Sequence, residues 1–599
     1  MSDQKNMIMA AALSFVVILV WQVFFAPPAV IDDATQVAER AFDGAAAPQP
    51  LDGTPGTVEV ATPEAALAAA ERIDIRTPKL SGTLSLKGGR IDELSLLAFR
   101  ETLDPDSPNV ELLTPFGAQH PYYAVWGWIP TRDAPAGPTP GADTLWSVES
   151  GDALSPGRPV TLVWDNGSGL VFRRTMRVDE NYMFTIEQSV ENLTDRPVTL
   201  APYGIIARHG VPPTIGFYIL HEGGIGMTDG RLHEFSYSNI LDLARDPAEG
   251  GPAERLPVAS NGWLGFTDKY WLAAMAGGPD RPFTAVFRAV ETAQGPVFQS
   301  DLRQPAVTVA PGAAEIASSF FFAGAKDTRL LQAYERDLGI DGLINAVDWG
   351  WFFFLTKPIF QLLMIVNDVI GNMGWSIIAL TFIIKAALFP LAWKSFVSMS
   401  KMKQLQPEME KLKERCGDDK QKLQQEMIAL YRKEKVNPAS GCLPILLQIP
   451  IFFSLYKVFF VTLELRHAPW IGWIRDLSAP DPTSWMNLFG LLPFSADSIP
   501  GILSLLSIGV LPIIMGVTMW MQQKLNPAPT DPIQAQIFAI MPFMFMFLLG
   551  SFASGLVLYW IANNVITFSQ QYAIMRSQGV QVDFLGNVKR SFRRRKPAE

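Results

Sequence analysis

The sequence predicts an α-helical integral membrane protein with six transmembrane helices and a large periplasmic β-sandwich domain. The 599 residues are 48% hydrophobic and only 18% charged, and long apolar runs crowd the C-terminal half. Short β-type runs separated by turn residues fill the first half. The charge is divided as well, because residues 26–384 carry 25 basic and 43 acidic side chains whereas residues 576–599 carry seven and two. This composition excludes a disordered chain, and two cysteines exclude a disulfide scaffold.

The first element is an N-terminal transmembrane anchor, residues 1–26. Met7–Phe25 is an uncharged run whose length approaches the roughly 20 residues that cross a bilayer, and it exceeds the usual apolar core of a cleaved signal peptide. A removed signal peptide remains the alternative. Residues 27–60 are rich in Ala, Pro, Asp and Gly without apolar periodicity, which predicts a flexible linker.

The second element is a periplasmic β-sandwich domain, residues 61–335. Val160–Trp164 and Leu170–Val178 are strand-type runs on either side of a turn rich in Asn, Gly and Ser, a pattern typical of a β-hairpin. Further runs of the same type are Tyr182–Val190, Phe283–Val290 and Ala306–Val309. A region of this length with such strands favours a large sandwich of two sheets.

The third element is helical. Residues 343–372 mix aromatic, aliphatic and charged side chains, which predicts an interfacial amphipathic segment. Residues 373–577 then form a five-helix core that includes a cytoplasmic helical hairpin, residues 394–435, and residues 578–599 form a basic cytoplasmic tail. The five predicted spans are Trp375–Trp393, Leu443–Leu465, Ile502–Gln522, Ile537–Phe552 and Gly555–Tyr572.

Basic residues orient these spans. Residues 394–435 carry 11 basic and seven acidic side chains, and the tail is also basic, whereas the loop 466–500 has two basic and three acidic ones. The positive-inside rule therefore predicts six crossings with both termini in the cytoplasm, and it places the acidic region 26–342 outside the membrane. A role in fixing the topology is enough to explain the basic tail, and its charge alone does not establish contact with nucleic acid or a ribosome.

Lys385 is the most informative residue. It interrupts an apolar run about eight residues, or ~12 Å of helix, from the predicted cytoplasmic boundary at Trp393. A charge at that depth costs on the order of 2.5–3.5 kcal/mol on insertion scales, so it normally faces a cavity or a partner. No predicted span supplies a central carboxylate, since Glu464 lies at an outer end near Lys457 and Arg466. A hydrated pocket that leaves the ammonium available to an incoming carboxylate is the remaining solution.

Other polar side chains on the spans are candidates for the walls of this pocket. Thr381 precedes Lys385 by one helical turn and shares its face. Candidates on other spans are Gln448, Thr518, Asn563, Asn564 and Gln571. For each of them an interhelical hydrogen bond is an equally good explanation.

Enzyme signatures are missing from the sequence. It contains neither a phosphate-binding loop ending in Gly-Lys-Ser/Thr nor a His-Glu-x-x-His motif. The histidines are scattered, at His120, His209, His221, His233 and His467. We therefore predict no enzymatic activity, no cofactor and no metal site.

Motifs over residues 343–577 closely resemble the YidC family of membrane protein insertases. The matching segments are Thr381–Leu391 (TFIIKAALFPL), Leu405–Pro407, Gly417–Lys420, Tyr431–Pro438, Gly441–Cys442, Gln448–Phe452, Leu465–Arg466, Asp476–Ser478, Met515–Met519 and Ser554–Trp560. The acidic β-rich region is similar to the additional periplasmic domain of Gram-negative members, which resembles sugar-mutarotase folds. Bacterial members usually carry arginine at the position of Lys385, and lysine keeps the charge but loses the bidentate fork.

The resemblance implies a hydrophilic groove in a bacterial inner membrane, open to the cytoplasm and the lipid but closed outside, through which newly made membrane proteins are inserted without a bound nucleotide. It implies nascent membrane proteins, the Sec translocon, the ribosome and membrane lipids as partners, with the hairpin 394–435 and the basic tail contacting the ribosome. Tyr559 and Trp560 become an aromatic pair in that groove, although ordinary helix packing also explains them. The candidate groove residues are Lys385, Thr381, Gln448, Thr518, Tyr559, Trp560 and Asn563.

Two other functions are compatible with the sequence. A secondary transporter is one, because an intramembrane lysine can mark an ion path, although a carboxylate relay and inverted repeats are not evident. A membrane-anchored periplasmic carbohydrate-active protein is the other, and it would make the β-rich domain the functional part.

Overall fold

The computed structural model describes residues 62–131, 137–215, 220–417, 419–434, 443–492, 507–526 and 532–579. The predicted anchor 1–26, the linker 27–60 and all but the first two residues of the predicted tail lie outside these ranges. The chain divides into two compact units, Met1–Val347 and Asp348–Glu599.

The first unit is rich in β-strands, as the sequence predicts. The strands are β1 (Arg72–Arg76), β2 (Leu80–Ser85), β3 (Arg90–Arg100), β4 (Asn109–Leu113), β5 (Tyr122–Pro130), β6 (Ser147–Ser150), β7 (Ala153–Leu154), β8 (Val160–Asp165), β9 (Leu170–Val178), β10 (Met183–Asn192), β11 (Val198–His209), β12 (Gly223–Thr228), β13 (Arg231–Ser236), β14 (Arg245–Asp246), β15 (Gly251–Val258), β16 (Gly262–Thr267), β17 (Trp271–Ala276), β18 (Phe283–Thr292), β19 (Gly295–Arg303), β20 (Val307–Val309) and β21 (Ala314–Ala325). Short helices in this unit are α1 (Pro63–Ala68), α2 (Tyr237–Leu241) and α3 (Thr328–Leu338).

The strands of the described residues form two sheets that pack face to face. The twelve-stranded sheet has the order β14-β15-β18-β19-β11-β5-β3-β2-β1-β7, with β20 beside β11 and β4 beside β3. The nine-stranded sheet has the order β13-β12-β16-β17-β21-β10-β9-β8-β6. Trp126 of the larger sheet contacts Phe321 of the smaller one edge-on, with ring centroids 5.4 Å apart. The core of the unit therefore lies between the sheets.

The predicted hairpin is confirmed. Strands β8 and β9 pair antiparallel, with Val160 opposite Met176 and Asp165 opposite Val171. The side-chain oxygen of Asn166 accepts hydrogen bonds from the backbone of Ser168 and Leu170, which fixes the turn. Along β9 the even-numbered residues point into the core, so that the alternation of the strand determines which side chains are buried.

One of those inward positions holds an arginine. Arg174 is 1% exposed and donates from Nη1 to the carbonyls of Gly88 and Gly89, at 3.2 and 2.7 Å, and from Nη2 to the carbonyl of Trp126. Its guanidinium also lies 4.6 Å from the ring centre of Trp146. Burial lowers the pKa of Arg174 to about 9. The guanidinium thus cross-links the two sheets through backbone oxygens.

A buried histidine lies on the larger sheet. His209 is 8% exposed, and its Nε2 lies 3.3 Å from the hydroxyl of Tyr123. The ring of Phe116 lies beside it, with centroids 6.0 Å apart. Because these surroundings exclude water, burial lowers the pKa of His209 to about 4.

The second unit is helical, in agreement with the predicted helical C-terminal region. Its α-helices are α4 (Phe353–Ile370), α5 (Met373–Ala387), α6 (Phe389–Cys416), α7 (Lys420–Lys433), α8 (Leu443–Val461), α9 (Val510–Gln523), α10 (Pro532–Leu548) and α11 (Ser554–Ser577). Short segments of 3-10 helix are Leu343–Ala346 at the end of the first unit, and Leu463–Leu465, Trp485–Gly490 and Leu549–Ser551 in the second.

Length and composition identify few of these helices as complete spans. Within the described residues, α4 is the one helix both long and apolar enough to cross a membrane, and the pair α5 and α6 adds a second if it counts as one broken span. Helix α4 falls in the segment 343–372, for which an interfacial position stays a prediction.

The predicted span Trp375–Trp393 is not one continuous helix in the structure. Helix α5 ends at Ala387, and α6 leaves at an angle of 68° after Leu388. Pro390 explains the break, since a proline at this position of a continuous helix lacks the N–H for the ladder and its ring would clash with the carbonyl of Ala386. The chain therefore turns within a segment that hydropathy alone treats as one helix.

Helices α6 and α7 pack against each other as an antiparallel pair around Gly417. The hydroxyl of Tyr431, in the last turn of α7, lies 3.7 Å from the sulfur of Met409 on α6, which joins the two helices. The pair extends from Phe389 to Lys433, so its first helix begins before the predicted hairpin does.

Candidate functional site

Lys385 lies in the last turn of α5, three residues before the bend at Leu388. Its side chain is half-buried, whereas its neighbours Phe382 and Ile383 are exposed on the apolar outer face of the helix. A cation is stabilised by the negative end of the helix macrodipole, which contributes about 0.3–1 kcal/mol in such positions. The helix therefore supports the charge without neutralising it.

The ammonium of Lys385 has a neutral partner. Its Nζ donates to Oε1 of Gln448 on α8 at 3.3 Å, and Nε2 of Gln448 donates to the hydroxyl of Tyr559 on α11. The amide orients its oxygen to the cation and its N–H to the phenol, as the chemistry of each group requires. Three helices are thus joined by one chain of hydrogen bonds.

In the part of the chain that the structure describes, no carboxylate lies within ion-pair distance of Lys385. The nearby lysine of α8, Lys457, does have such a partner, because its Nζ lies 2.7 Å from the carboxylate of Asp348. That ion pair joins residues 109 positions apart, and the sequence, which offered Glu464, gave no signal for it. Lys457 therefore has a carboxylate partner within the fold, whereas Lys385 has a neutral amide.

Thr381 does not extend this chain of hydrogen bonds. It is 1% exposed, and its hydroxyl donates to the carbonyl of Ile377 at 2.7 Å, one turn earlier in the same helix. Such bonds satisfy a threonine hydroxyl inside a helix. Thr381 therefore lies on the buried face of α5, but its hydroxyl hydrogen is already used within the helix.

The two asparagines of α11 differ in their hydrogen bonds, because Asn564 bonds to Thr518 and Asn563 does not. The hydroxyl of Thr518 on α9 donates to the carbonyl of Met515 at 2.8 Å and accepts from Nδ2 of Asn564 at 3.2 Å. Asn563 is 6% exposed, and its Oδ1 has no hydrogen-bond partner among the described residues. An unpaired buried oxygen carries a desolvation cost of about 1–3 kcal/mol, so a donor that reached Oδ1 of Asn563 would be bound favourably.

Tyr559 and Trp560 have different surroundings, although they are adjacent. Tyr559 is buried and holds the Gln448 amide, whereas Trp560 packs against Phe452 of α8 and Phe545 of α10, at centroid distances of 5.3 and 6.2 Å. The two rings lie 6.4 Å apart. Tyr559 thus belongs to the polar chain, and Trp560 belongs to an aromatic cluster beside it.

The structure accordingly joins Lys385, Gln448 and Tyr559 directly and places the other predicted groove residues around them without direct bonds to Lys385. One further bond, from Nε2 of Gln571 on α11 to Oδ1 of Asn526, three residues after the end of α9, is 2.9 Å long. The described residues contain no group of His, Cys, Asp and Glu that could hold a metal ion.

Two family models match the chain, the 60Kd inner membrane protein over residues 365–581 and the YidC periplasmic domain over residues 72–362. The membrane protein insertase YidC of Dinoroseobacter shibae is 55% identical over 100% of both chains, and that of Ruegeria pomeroyi is 54% identical over 100% of both. A crystal structure of an active YidC insertase aligns with a TM-score of 0.34 and 18% identity, covering 84% of this chain and 93% of that one. This chain belongs to the YidC family of membrane protein insertases.

Proposed function

We propose that this protein inserts newly made proteins into the bacterial inner membrane through a hydrophilic groove whose positive charge is Lys385. One observation carries the proposal: a half-buried ammonium on an apolar helix is held by a neutral amide and by no carboxylate of the described residues. A cation in that state attracts an anionic group from outside the fold. The relatives are named insertases, which agrees with the predicted lack of an enzymatic activity.

The physical task is to move a polar tail through hydrocarbon. Each polar group that crosses without a hydrogen-bond partner costs several kcal/mol. The helical unit offers such partners at Lys385, Gln448, Tyr559 and the unpaired side-chain oxygen of Asn563. A polar tail therefore need not cross the full thickness of the hydrocarbon without hydrogen bonds. At an effective dielectric constant near 20, contact between a carboxylate and the ammonium is worth at most about 4 kcal/mol.

The topology completes the proposal. The protein crosses the membrane six times with both termini in the cytoplasm, counting the predicted anchor 1–26, and the β-rich region 61–335 lies in the periplasm. The basic segments 394–435 and 576–599 support this orientation through the positive-inside rule. Exposed apolar side chains on α5, α8 and α10, such as Phe382, Phe453 and Phe543, then face lipid or a client helix.

The partners follow from the same surfaces. The helix pair α6–α7 and the basic tail contact a translating ribosome, and the Sec translocon delivers some clients while others arrive directly. Lipids contact the exposed apolar faces. The names of the relatives do not favour the two other functions considered, a secondary transporter and a membrane-anchored periplasmic carbohydrate-active protein.

Charge variants of Lys385 test the proposal in reconstituted vesicles. Lys385→Arg keeps the cation and is expected to insert a client with an acidic tail within about twofold of the wild type. Lys385→Glu repels that tail, and we expect insertion to fall at least about tenfold, since 1.4 kcal/mol already changes a rate or an equilibrium tenfold. A client whose acidic residues are replaced by Asn and Gln serves as the matched control. Equal insertion of the acidic client by all three proteins would refute the role of Lys385.

A further inference from the structure

The connection between α8 and α9 contains an apolar turn, residues 485–492, whose large side chains are exposed. Leu491 is 83% exposed, and Trp485, Leu488 and Phe489 are 49%, 54% and 49% exposed. None of the eight residues is charged. Single exposed apolar side chains are ordinary, but a cluster of this size marks a surface that binds another molecule or a membrane.

The backbone of the turn is strained where it presents these side chains. Leu488 and Phe489 are consecutive residues in the left-handed region, with φ angles of 50° and 58°. This conformation is unfavourable for bulky side chains, and it persists only when the surrounding structure determines it. Two such residues in succession, both with exposed apolar side chains, indicate that the shape of the turn serves a function.

Buried hydrogen bonds at the base of the turn determine that shape. The backbone N–H of Phe489 donates to the carbonyl of Ser484 at 2.7 Å, and that of Leu492 donates to the carbonyl of Asn487 at 3.0 Å. The side-chain oxygen of Asn487 accepts from the backbone N–H of Ser484 at 3.0 Å. Ser484 and Asn487 are both buried. The polar side chains of this segment therefore hold its base, and the apolar ones form its exposed surface.

The base of the turn is joined to the start of α9. The backbone N–H of Trp485 donates to the carbonyl of Ile508 at 3.1 Å, two residues before α9 begins at Val510. On α9 itself, the side chains of Ile514 and Val517 are exposed. The exposed surface of the turn therefore continues the apolar character of the helix to which it is fixed.

Neighbouring tryptophans indicate what covers the turn. Trp375, in the first turn of α5, contacts Trp470 of the same connection, with ring centroids 5.6 Å apart. Trp375 and Trp473 are 47% and 45% exposed, close to the value for Trp485. Tryptophans that are half-exposed near one end of apolar helices are typical of the boundary between lipid hydrocarbon and water. An uncharged apolar turn beside them fits a bilayer.

We propose that the apolar turn 485–492 inserts into the outer leaflet of the membrane and anchors the start of α9 there, with lipid acyl chains as its partner. The inference rests on the proposed function, whose topology puts the connection between α8 and α9 on the periplasmic side. Because the turn carries no charge, burial of apolar surface holds it in the leaflet, and attraction to anionic headgroups does not contribute.

Fluorescence quenching tests the anchor in vesicles that contain only lipid and the full chain. The reporter is Leu491→Cys, labelled with a nitrobenzoxadiazole dye in a background with Cys416→Ser and Cys442→Ser. The matched site is Leu193→Cys, an exposed leucine of the β-rich unit. We expect lipid with a nitroxide on its acyl chain to quench the dye at Leu491→Cys at least about fivefold more strongly, since burial of one leucine side chain already favours the inserted state about tenfold. Aqueous iodide should show the opposite preference.

A double variant separates the apolar side chains from the shape of the turn. Leu488→Asn with Phe489→Asn removes the apolar surface but uses a residue that tolerates the left-handed backbone. Iodide quenching of the dye at Leu491→Cys should then rise at least about fivefold, because two apolar side chains no longer favour insertion. The control is Leu488→Met with Phe489→Leu, which keeps the surface apolar and should keep the dye shielded from iodide. The Tm of each variant in detergent reports whether it is folded.

Three results would overturn the proposal. Equal iodide quenching at Leu491→Cys and Leu193→Cys would mean that the turn lies in water. Protection of Leu491→Cys from both iodide and nitroxide lipid would mean that a second copy of the chain covers it. Unchanged quenching in the folded Asn variant would mean that the apolar side chains do not hold the turn. Because no client is present, these results are independent of whether Lys385→Glu impairs insertion.

Discussion

Two cations without a described carboxylate partner stand in the two units of this protein, and they are bound in opposite ways. Arg174, in the β-rich unit, is almost fully buried, and its guanidinium donates to three backbone carbonyls and stacks near Trp146. Lys385, in the helical unit, is half-buried and donates to a single amide oxygen at 3.3 Å. An ammonium has three N–H donors, so two of them have no acceptor among the described residues.

The difference teaches how to distinguish a structural cation from a binding one. The fold provides Arg174 with three carbonyl acceptors, and its Nε, which has no acceptor among the described residues, is buried beyond the reach of a ligand. Removal of the guanidinium would leave those buried carbonyls unpaired. Lys385 has an incomplete set and an accessible surface, so its remaining hydrogen-bonding capacity is available to a molecule from outside. Buried charge alone therefore does not indicate function, whereas a cation that has unused donors at an accessible surface does.

The largest expected effect concerns the structural cation. Arg174→Met leaves the carbonyls of Gly88, Gly89 and Trp126 without their donor, and we expect a loss of about 3 kcal/mol in the free energy of unfolding of the β-rich unit. For a unit of this size that corresponds to a Tm about 6–12 °C lower, measured by circular dichroism on the full chain. The control is Arg173→Met, which removes partly exposed ion pairs with Glu149 and Glu191 worth about 0–1 kcal/mol. Equal shifts for the two variants would contradict the comparison.

A pH dependence of folding is the second test of the β-rich unit. Burial lowers the pKa of His209 to about 4, below the value of about 6.5 in an unfolded chain, so the unfolded state binds the proton more tightly. The stability from neutral His209 is complete above pH 6.5 and is lost as the pH falls toward 4. At pH 5 the loss is about 2 kcal/mol relative to pH 7.5.

His209→Gln removes this titration, so the variant should lose about 2 kcal/mol less than the wild type between pH 7.5 and 5 in urea unfolding of the full chain. The matched control is His120→Gln, the same replacement at an exposed histidine. A wild-type pH dependence in His209→Gln would show that another group is responsible.

The smallest expected effect sharpens the description of the binding cation. Gln448→Glu places a carboxylate where the amide oxygen now meets Lys385, which converts the ammonium into an internally paired charge like Lys457. Insertion of a client with an acidic tail should then fall about tenfold while the protein stays folded. Gln448→Met removes the amide without adding charge and should retain insertion within about twofold. Full activity of Gln448→Glu would mean that an internal carboxylate does not compete with the client.

Local pattern predicted much of the fold. The turn residues at 165–169 and the alternation of Leu170–Val178 predict a hairpin whose register the structure confirms. The same alternation places Arg174 at an inward position. The sequence therefore contained a signal for a buried arginine, which the prediction of a hairpin did not use. Pro390 likewise indicates that α5 ends before it. A hydropathy average over many residues does not detect this break.

Long-range pairing is what the sequence could not supply. Lys385 was singled out because a charge in an apolar run is costly, but its partner Gln448 was one of several polar side chains on the spans, and nothing local distinguishes it. The bond between Thr518 and Asn564, rather than Asn563, depends on the rotation of α11 about its axis, which a difference of 100° per residue decides. The bond from the backbone N–H of Leu511, at the start of α9, to Oδ2 of Asp481 in a distant loop depends on the packed fold in the same way.

The bend at Leu388 has a consequence for the surrounding lipid. Helix α5 has 15 residues and α9 has 14, which correspond to about 22 and 21 Å of helix. In the proposed topology these helices are shorter than the roughly 30 Å of hydrocarbon in a bilayer, and a hydrophobic mismatch of this kind is relieved when the bilayer thins. A client beside α5 and α9 would then cross a thinner layer of hydrocarbon than in an unperturbed bilayer, so that the shortness of these helices would itself lower the work of insertion.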